Sequence, residues 1–132
     1  MNSLKSQREE IYSYIKKIYN ISPEFLWQDA KNFAVFRNKS NKKWFAIIMD
    51  IPASKLGLAK KEIVDVLNVK ISDWFLKDIL LSQSGFFPAY HMNKNNWISI
   101  LLDGSVSLNQ IEKLLDGSYV AVGIKNKNKK AE

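Results

Sequence analysis

His91 is the only imidazole in the chain, and there is no cysteine. Those two facts narrow the chemistry at once. Thiol nucleophiles, disulfides, thiolate metal sites and iron–sulfur ligation are excluded. A histidine-based metal site would need carboxylates at ligand spacing, and no such motif includes His91. A Ser-His-Asp arrangement with Asp103 is arithmetically open, but the Gly-x-Ser-x-Gly elbow is missing. Asp50 and Asp103 each close an apolar run, and two carboxylates could share acid–base work if they converged. Turn chemistry explains both more simply, because Asp50 precedes Ile51-Pro52 and Asp103 precedes Gly104. Gly57, Gly85, Gly104, Gly117 and Gly123 form neither Gly-x-Gly-x-x-Gly nor a Walker pattern, so nucleotide-dependent chemistry is not expected. The chain reads as a non-enzyme with no catalytic set, metal or cofactor.

The other chemistry available is charge. The formal net charge is +7, from 20 basic and 13 acidic residues, which points to an anionic partner. Only Arg8 and Arg37 are arginines; the other basic residues are lysines, alongside abundant asparagine. Lysine contacts phosphate as a point charge, whereas bidentate readout of guanine is mostly arginine work. Two polar turns concentrate these groups. The first holds Arg37, Lys39, Lys42 and Lys43; the second holds His91, Asn93, Lys94 and Asn96, with Asn95 between them. Projecting groups of this kind bind phosphates without reading sequence. The plainer alternative is that turns are polar because they sit in water and need asparagine. Lys55, Lys60 and Lys61 bracket a further loop, where simple solvation is the ordinary explanation. Trp44, Tyr90 and Trp97 lie near the turns, where exposed rings could stack on unpaired bases, although strand aromatics are more often buried. His91, Tyr90 and Asn93 could instead line a small pocket.

The elements that would position these groups follow from periodicity. Residues 3–20 predict an amphipathic helix with Leu4, Ile11, Ile15 and Ile18 inward and a Ser6/Glu9 capping box. Phe25, Leu26 and Trp27 are expected to anchor a connector in the core. Residues 32–37 and 43–51 predict paired strands, with Phe45, Ile47, Met49 and Ile51 on one face and Trp44, Ala46, Ile48 and Asp50 on the other. Such a run suits a central strand covered on both sides. Residues 62–70 predict a third strand. A second helix starts at Ser72 or Asp73, with Phe75, Leu76, Ile79 and Leu80 inward and Gly85 closing it. Residues 86–92 and 96–102 predict the last strands. A Ser107/Gln110 capping box opens a third helix, with Leu108, Ile111, Leu114 and Leu115 inward and Gly117 at its C-terminus. Clustered strands without regular βαβ alternation predict a single α+β domain over residues 1–124, with a mostly antiparallel sheet and about three helices. The basic tail, residues 125–132, carries +3 of the charge and is expected to be disordered.

Several stretches resemble the YjbR/MmcQ family of bacterial proteins. They are Pro23-Glu24-Phe25-Leu26-Trp27, Phe33-Ala34-Val35-Phe36-Arg37 and the run from Asn41 to Pro52. The most distinctive is Gly85-Phe86-Phe87-Pro88-Ala89-Tyr90-His91-Met92-Asn93-Lys94, continued from Asn96 to Val106. The resemblance extends from about the first helix to Tyr119. It implies a compact sandwich, and proteins of the family are described as DNA-binding through a double wing of hairpins. It supplies no catalytic set.

The expected function is therefore sequence-tolerant DNA binding through the basic turns. The rival readings are a protein-interaction adaptor and a small-ligand binder centred on His91, Tyr90, Asp103 and Arg37. No secretory signal or membrane-length apolar run is apparent, so the expected setting is cytoplasmic, without membrane attachment, as a monomer or weak dimer.

Overall fold

The computed structural model describes residues 6–123, which form one five-stranded antiparallel sheet and three α-helices. The elements are α1 (Arg8–Tyr19), β1 (Ala34–Arg37), β2 (Trp44–Pro52), β3 (Ile63–Lys70), α2 (Trp74–Leu81), β4 (Phe86–Pro88), β5 (Trp97–Leu101) and α3 (Leu108–Gly123), with a short 3-10 helix at Ala53–Leu56. The strand order is β1-β2-β3-β5-β4. Leu4 and the tail from residue 125 lie outside the described residues.

The apolar pattern divides the molecule into two layers on the sheet. Ala34, Phe36, Ile48, Leu67, Val69, Ile98 and Ile100 point to the helical face, where Ile11 and Ile15 of α1, Leu80 of α2 and Ile111 and Leu115 of α3 meet them. Burying a side chain such as Phe36 contributes about 1.5–3 kcal/mol. Val35, Ile47, Met49, Ile51, Val66 and Leu101 line the opposite face, which connecting segments cover instead of helices. This is the α+β sandwich expected from the strand clustering.

The strict alternation expected along β2 fails at one place. Phe36 faces Ala46 but Arg37 faces Trp44, so Phe45 is the extra residue of a bulge. Phe45 therefore joins Ala46 and Ile48 on the helical face, and Trp44 turns to the other.

The helix ends also differ from the capping patterns. The Ser6/Glu9 box does not form. The N-cap of α1 is Gln7 without a side-chain cap, and the Ser6 hydroxyl accepts from the Arg8 N–H at 3.0 Å. Gln7 is drawn to the turn after β5, donating to the Val106 carbonyl and accepting from the Gly104 N–H. Ser107 does accept from the Gln110 N–H at 3.2 Å. Asp73 caps α2 through the N–H groups of Phe75 and Leu76. Gly117 does not end α3. The helix runs through it to Gly123, held to the sheet on either side by Leu115 and Ser118.

Six inward assignments are overturned. Ile18 is exposed, at the edge of the α1 stripe, and Phe25 and Leu26 are exposed while Trp27 alone of the connector packs on the sheet. In α2, Phe75, Leu76 and Ile79 face solvent and only Leu80 is buried. That eight-residue helix is apolar on nearly every side, so periodicity could not select its face. It docks through Leu80 and Leu81.

Gly85 is fixed by sterics. Its φ is +92°, and a Cβ there would lie 2.7 Å from Cγ2 of Val106.

Candidate nucleic-acid interface

The first basic turn, residues 38–43, is built on the last turn of α3. Asn38 is buried; its amide donates to the Tyr119 carbonyl at 3.0 Å, while its Oδ1 accepts from the backbone and hydroxyl of Ser40. Asn41 donates to the Val122 carbonyl at 2.8 Å. These two bonds tie the turn to the backbone of α3. Lys42 adopts a left-handed conformation, φ 66°, which reverses the chain. Lys39, Lys42 and Lys43 are left exposed.

Arg37 is committed elsewhere. Its Nε donates to Glu24 at 3.0 and 3.1 Å, its NH1 donates to the Lys42 carbonyl, and the guanidinium sits 6.0 Å from the Trp44 ring centre. It fastens the connector to β1, beside the backbone bridge of Glu24 to Val35. Of the four basic groups in this turn, the three lysines have no ion pair among the described residues.

The second turn, residues 89–96, is longer than expected because β4 ends at Pro88. A buried polar pair holds it. Asn68 on β3 and Ser99 on β5 face each other, both fully buried. The Ser99 hydroxyl donates to Asn68 Oδ1 and accepts from the Tyr90 N–H at 3.0 Å. The Asn68 amide donates to the Tyr90 carbonyl at 2.9 Å. His91 follows with φ 62°, its ring 3.9 Å from that of Tyr90. Asn93 Oδ1 accepts from the Asn95 N–H, and the Asn96 carbonyl accepts from the Ile71 N–H. His91, Asn93, Lys94 and Asn96 are exposed.

The strand register brings the two turns to one end of the sheet. Ala46, near the start of β2, faces Val69 near the end of β3, and Lys70 faces Trp97 at the start of β5. Both turns therefore open where β2 and β5 begin. Those strands are separated by β3 alone, about 10 Å, and the turns lie on their outer sides, toward β1 and β4.

Over β2, on the face opposite the α-helices, lies a pocket of about 250 Å³ between the connector that precedes β1 and the second turn. Trp27, Phe33, Trp44 and Met49 form its walls, and His91 and Met92 bring the second turn to it. Trp27 stands edge-on to both Phe33 and Trp44. Sequence reasoning placed Trp27 in the core and Trp44 in a strand but did not join them to His91. The only signal was that Trp44 lies beside the first turn and His91 in the second.

The closed cluster of His91, Tyr90, Asp103 and Arg37 is not formed. Asp103 follows β5 and so lies at the opposite end of the sheet, where its Oδ1 accepts from the backbone and hydroxyl of Ser105. Asp50 accepts from the Asn32 amide at 2.9 Å. It stands opposite Asp65 in the strand register. Asp65 is held by Arg8 through two bonds of 2.9 and 3.0 Å, a pair that joins α1 to β3. Burial works to raise the Asp65 pKa, but hydrogen bonds from Arg8 and Ser6 and the Arg8 charge outweigh it and hold the carboxyl below its usual range. Tyr14 and Tyr19 both donate to Asp116, linking α1 to α3. Burial first, and then this carboxylate, push the Tyr14 hydroxyl up to about 12.

No helix among the described residues is long and apolar enough to cross a membrane. The YjbR family model matches residues 7–121. The uncharacterized protein YyaQ of Bacillus subtilis is 37% identical over 112 residues, covering 85% of this chain and 94% of its own length. A crystal structure of a Pseudomonas syringae protein superposes with a TM-score of 0.83 at 37% identity, covering 92% of this chain and 98% of that one. A Deinococcus radiodurans protein shares the fold, with a TM-score of 0.68 at 21% identity over 96% of this chain and 85% of that one. The chain belongs to the YjbR family.

Proposed function

We propose that this protein is a non-catalytic, cytoplasmic DNA-binding module that grips phosphates through its two basic turns, acting as a pair of wings, with little sequence specificity. One observation carries the reading: the register of β2, β3 and β5 opens both turns at the same end of the sheet. A single polar turn is explained by solvation, whereas two lysine-bearing turns at one end of the same sheet form a surface that can follow a phosphate backbone. Lysine dominance makes the grip electrostatic and tolerant of sequence. The test is anisotropy of a labelled random-sequence duplex at several salt concentrations. Replacing Lys39, Lys42 and Lys94 together with Gln should flatten the salt slope by about 0.9 per lost phosphate contact. Unchanged affinity and slope would remove the turns as the site. A chain with its tail lysines neutralised separates this surface from a merely adhesive appendage.

A second reading, a protein-interaction adaptor, draws support from α2. Trp74, Phe75, Leu76 and Ile79 form an exposed apolar strip on one short helix. Failure to bind any duplex would move that reading to first place.

A further inference from the structure

The pocket beside the second turn has no counterpart in a phosphate grip, since phosphates need only the lysines. We propose that it receives one unpaired nucleobase, so that the preferred ligand is a single strand or a duplex with an extrahelical base. This rests on the DNA-binding reading and adds the form of DNA recognised.

Three features select that occupant. The first is size. A pocket of about 250 Å³ is below the ~300–1,000 Å³ typical of drug-sized ligands, so it suits a single ring system. The second is the character of its walls. Trp27, Phe33 and Trp44 offer aromatic surface, and the side chains carry few polar atoms beyond the His91 imidazole and the indole N–H groups. Such walls accept the face of any base without reading its edge, which matches sequence tolerance. The third is charge. Lys42 and Lys43 directly precede Trp44 in the chain, and Lys94 follows Met92 by two residues. None of these lysines lines the pocket itself, but lysines one or two residues from its lining residues favour an occupant that carries a phosphate on either side, as a base does, over a neutral apolar side chain. His91 is exposed, with its backbone fixed in a left-handed conformation behind Tyr90, whose own backbone is locked by Asn68 and Ser99. The rim residue is thus held by the sheet and not by a free loop.

The experiment compares two labelled single strands of equal length, one of thymidines and one abasic, with the duplex as a third ligand. The two strands carry the same phosphate charge and differ only in bases. The full-length protein should bind the thymidine strand about tenfold more tightly than the abasic one, the scale of one stacked base. Ala30 also lines the pocket, so Ala30→Phe should fill it, abolish that preference and leave duplex affinity unchanged. Met49→Phe fills it from β2 and serves if Ala30→Phe does not fold. Equal binding of both strands by the unmodified protein would overturn the pocket assignment and leave the phosphate grip standing. A preference that survives in a folded filling variant would overturn it as well. Binding of none of the three ligands would overturn both readings.

Discussion

The hydroxyl of Ser118, midway along α3, donates to the carbonyl of Phe45 at 2.6 Å and accepts from the Lys70 N–H at 2.8 Å. Phe45 is the extra residue of the β2 bulge, whose backbone groups the strand ladder leaves unpaired. The Ser118 hydroxyl thus bridges β2 to β3 one residue beyond their last paired register, Ala46 to Val69. Ser118→Ala leaves the buried Phe45 carbonyl and the half-buried Lys70 N–H without this partner and should destabilise the fold by about 1–3 kcal/mol. Urea unfolding measures this, and amide exchange should show the loss concentrated at Lys70.

Asn68 and Ser99 play the corresponding part for the second turn. They occupy positions on β3 and β5 where an apolar pair would pack, yet both are polar and fully buried. Their bonds end on the backbone of Tyr90, which fixes the entry to the turn. Asn68→Ala should cost about 1–3 kcal/mol through the unsatisfied Tyr90 carbonyl. It should also broaden the amide resonances of residues 89–96 while those of the first turn stay sharp. Equal broadening at both turns would mean a global loss of packing.

These two polar devices mark the limit of what the sequence makes legible. Local pattern identifies the strands, the three helices and the Asp73 and Ser107 starts, because each depends on neighbours within a few residues. The bulge does not show in the pattern, since Trp44-Phe45-Ala46-Ile47 is apolar throughout and a shift of one residue leaves the composition unchanged. Likewise, α2 has too few polar positions to reveal which side docks. The basic turns are legible as a composition, but their common orientation comes from the register of β3 against both neighbours. The Trp27–His91 proximity is a long-range consequence of the same register and leaves no local trace.

The Arg8–Asp65 pair gives a pH prediction. The folded-state pKa of Asp65 lies below its unfolded value of 3.8, so its contribution to stability is complete above that value. It is lost as pH falls through the lower folded-state pKa. Asp65→Asn should therefore cost about 2–3 kcal/mol near neutral pH, because Arg8 is left largely buried without its charge partner. The difference from the unmodified protein should shrink as pH is lowered below about 4. Chemical unfolding between pH 2 and 7 checks it, and a constant difference across that range would assign the cost to packing alone.

Arg37 separates structure from binding within the first turn. It is paired with Glu24, and both side chains are partly exposed, so the pair contributes about 0–1 kcal/mol. Arg37→Gln should lower stability by no more than that and leave the salt slope of DNA binding unchanged, whereas Lys42→Gln should do the reverse. A slope that falls equally in both variants would mean that Arg37 leaves Glu24 to meet phosphate.

The two sides of α2 should answer differently to substitution. Leu80 is buried against the sheet, and Leu80→Ala should cost about 2–5 kcal/mol. Trp74 and Phe75 are more than half exposed at 68% and 61%, so Trp74→Ser and Phe75→Ser should each change stability by no more than about 0.5 kcal/mol. Apolar side chains that the fold does not use are free to serve a contact. If sedimentation shows a concentration-dependent dimer that Trp74→Ser abolishes, this strip is its interface. If the protein sediments as a monomer with or without the substitution, α2 joins no second copy, and the adaptor reading then requires a different polypeptide on that strip.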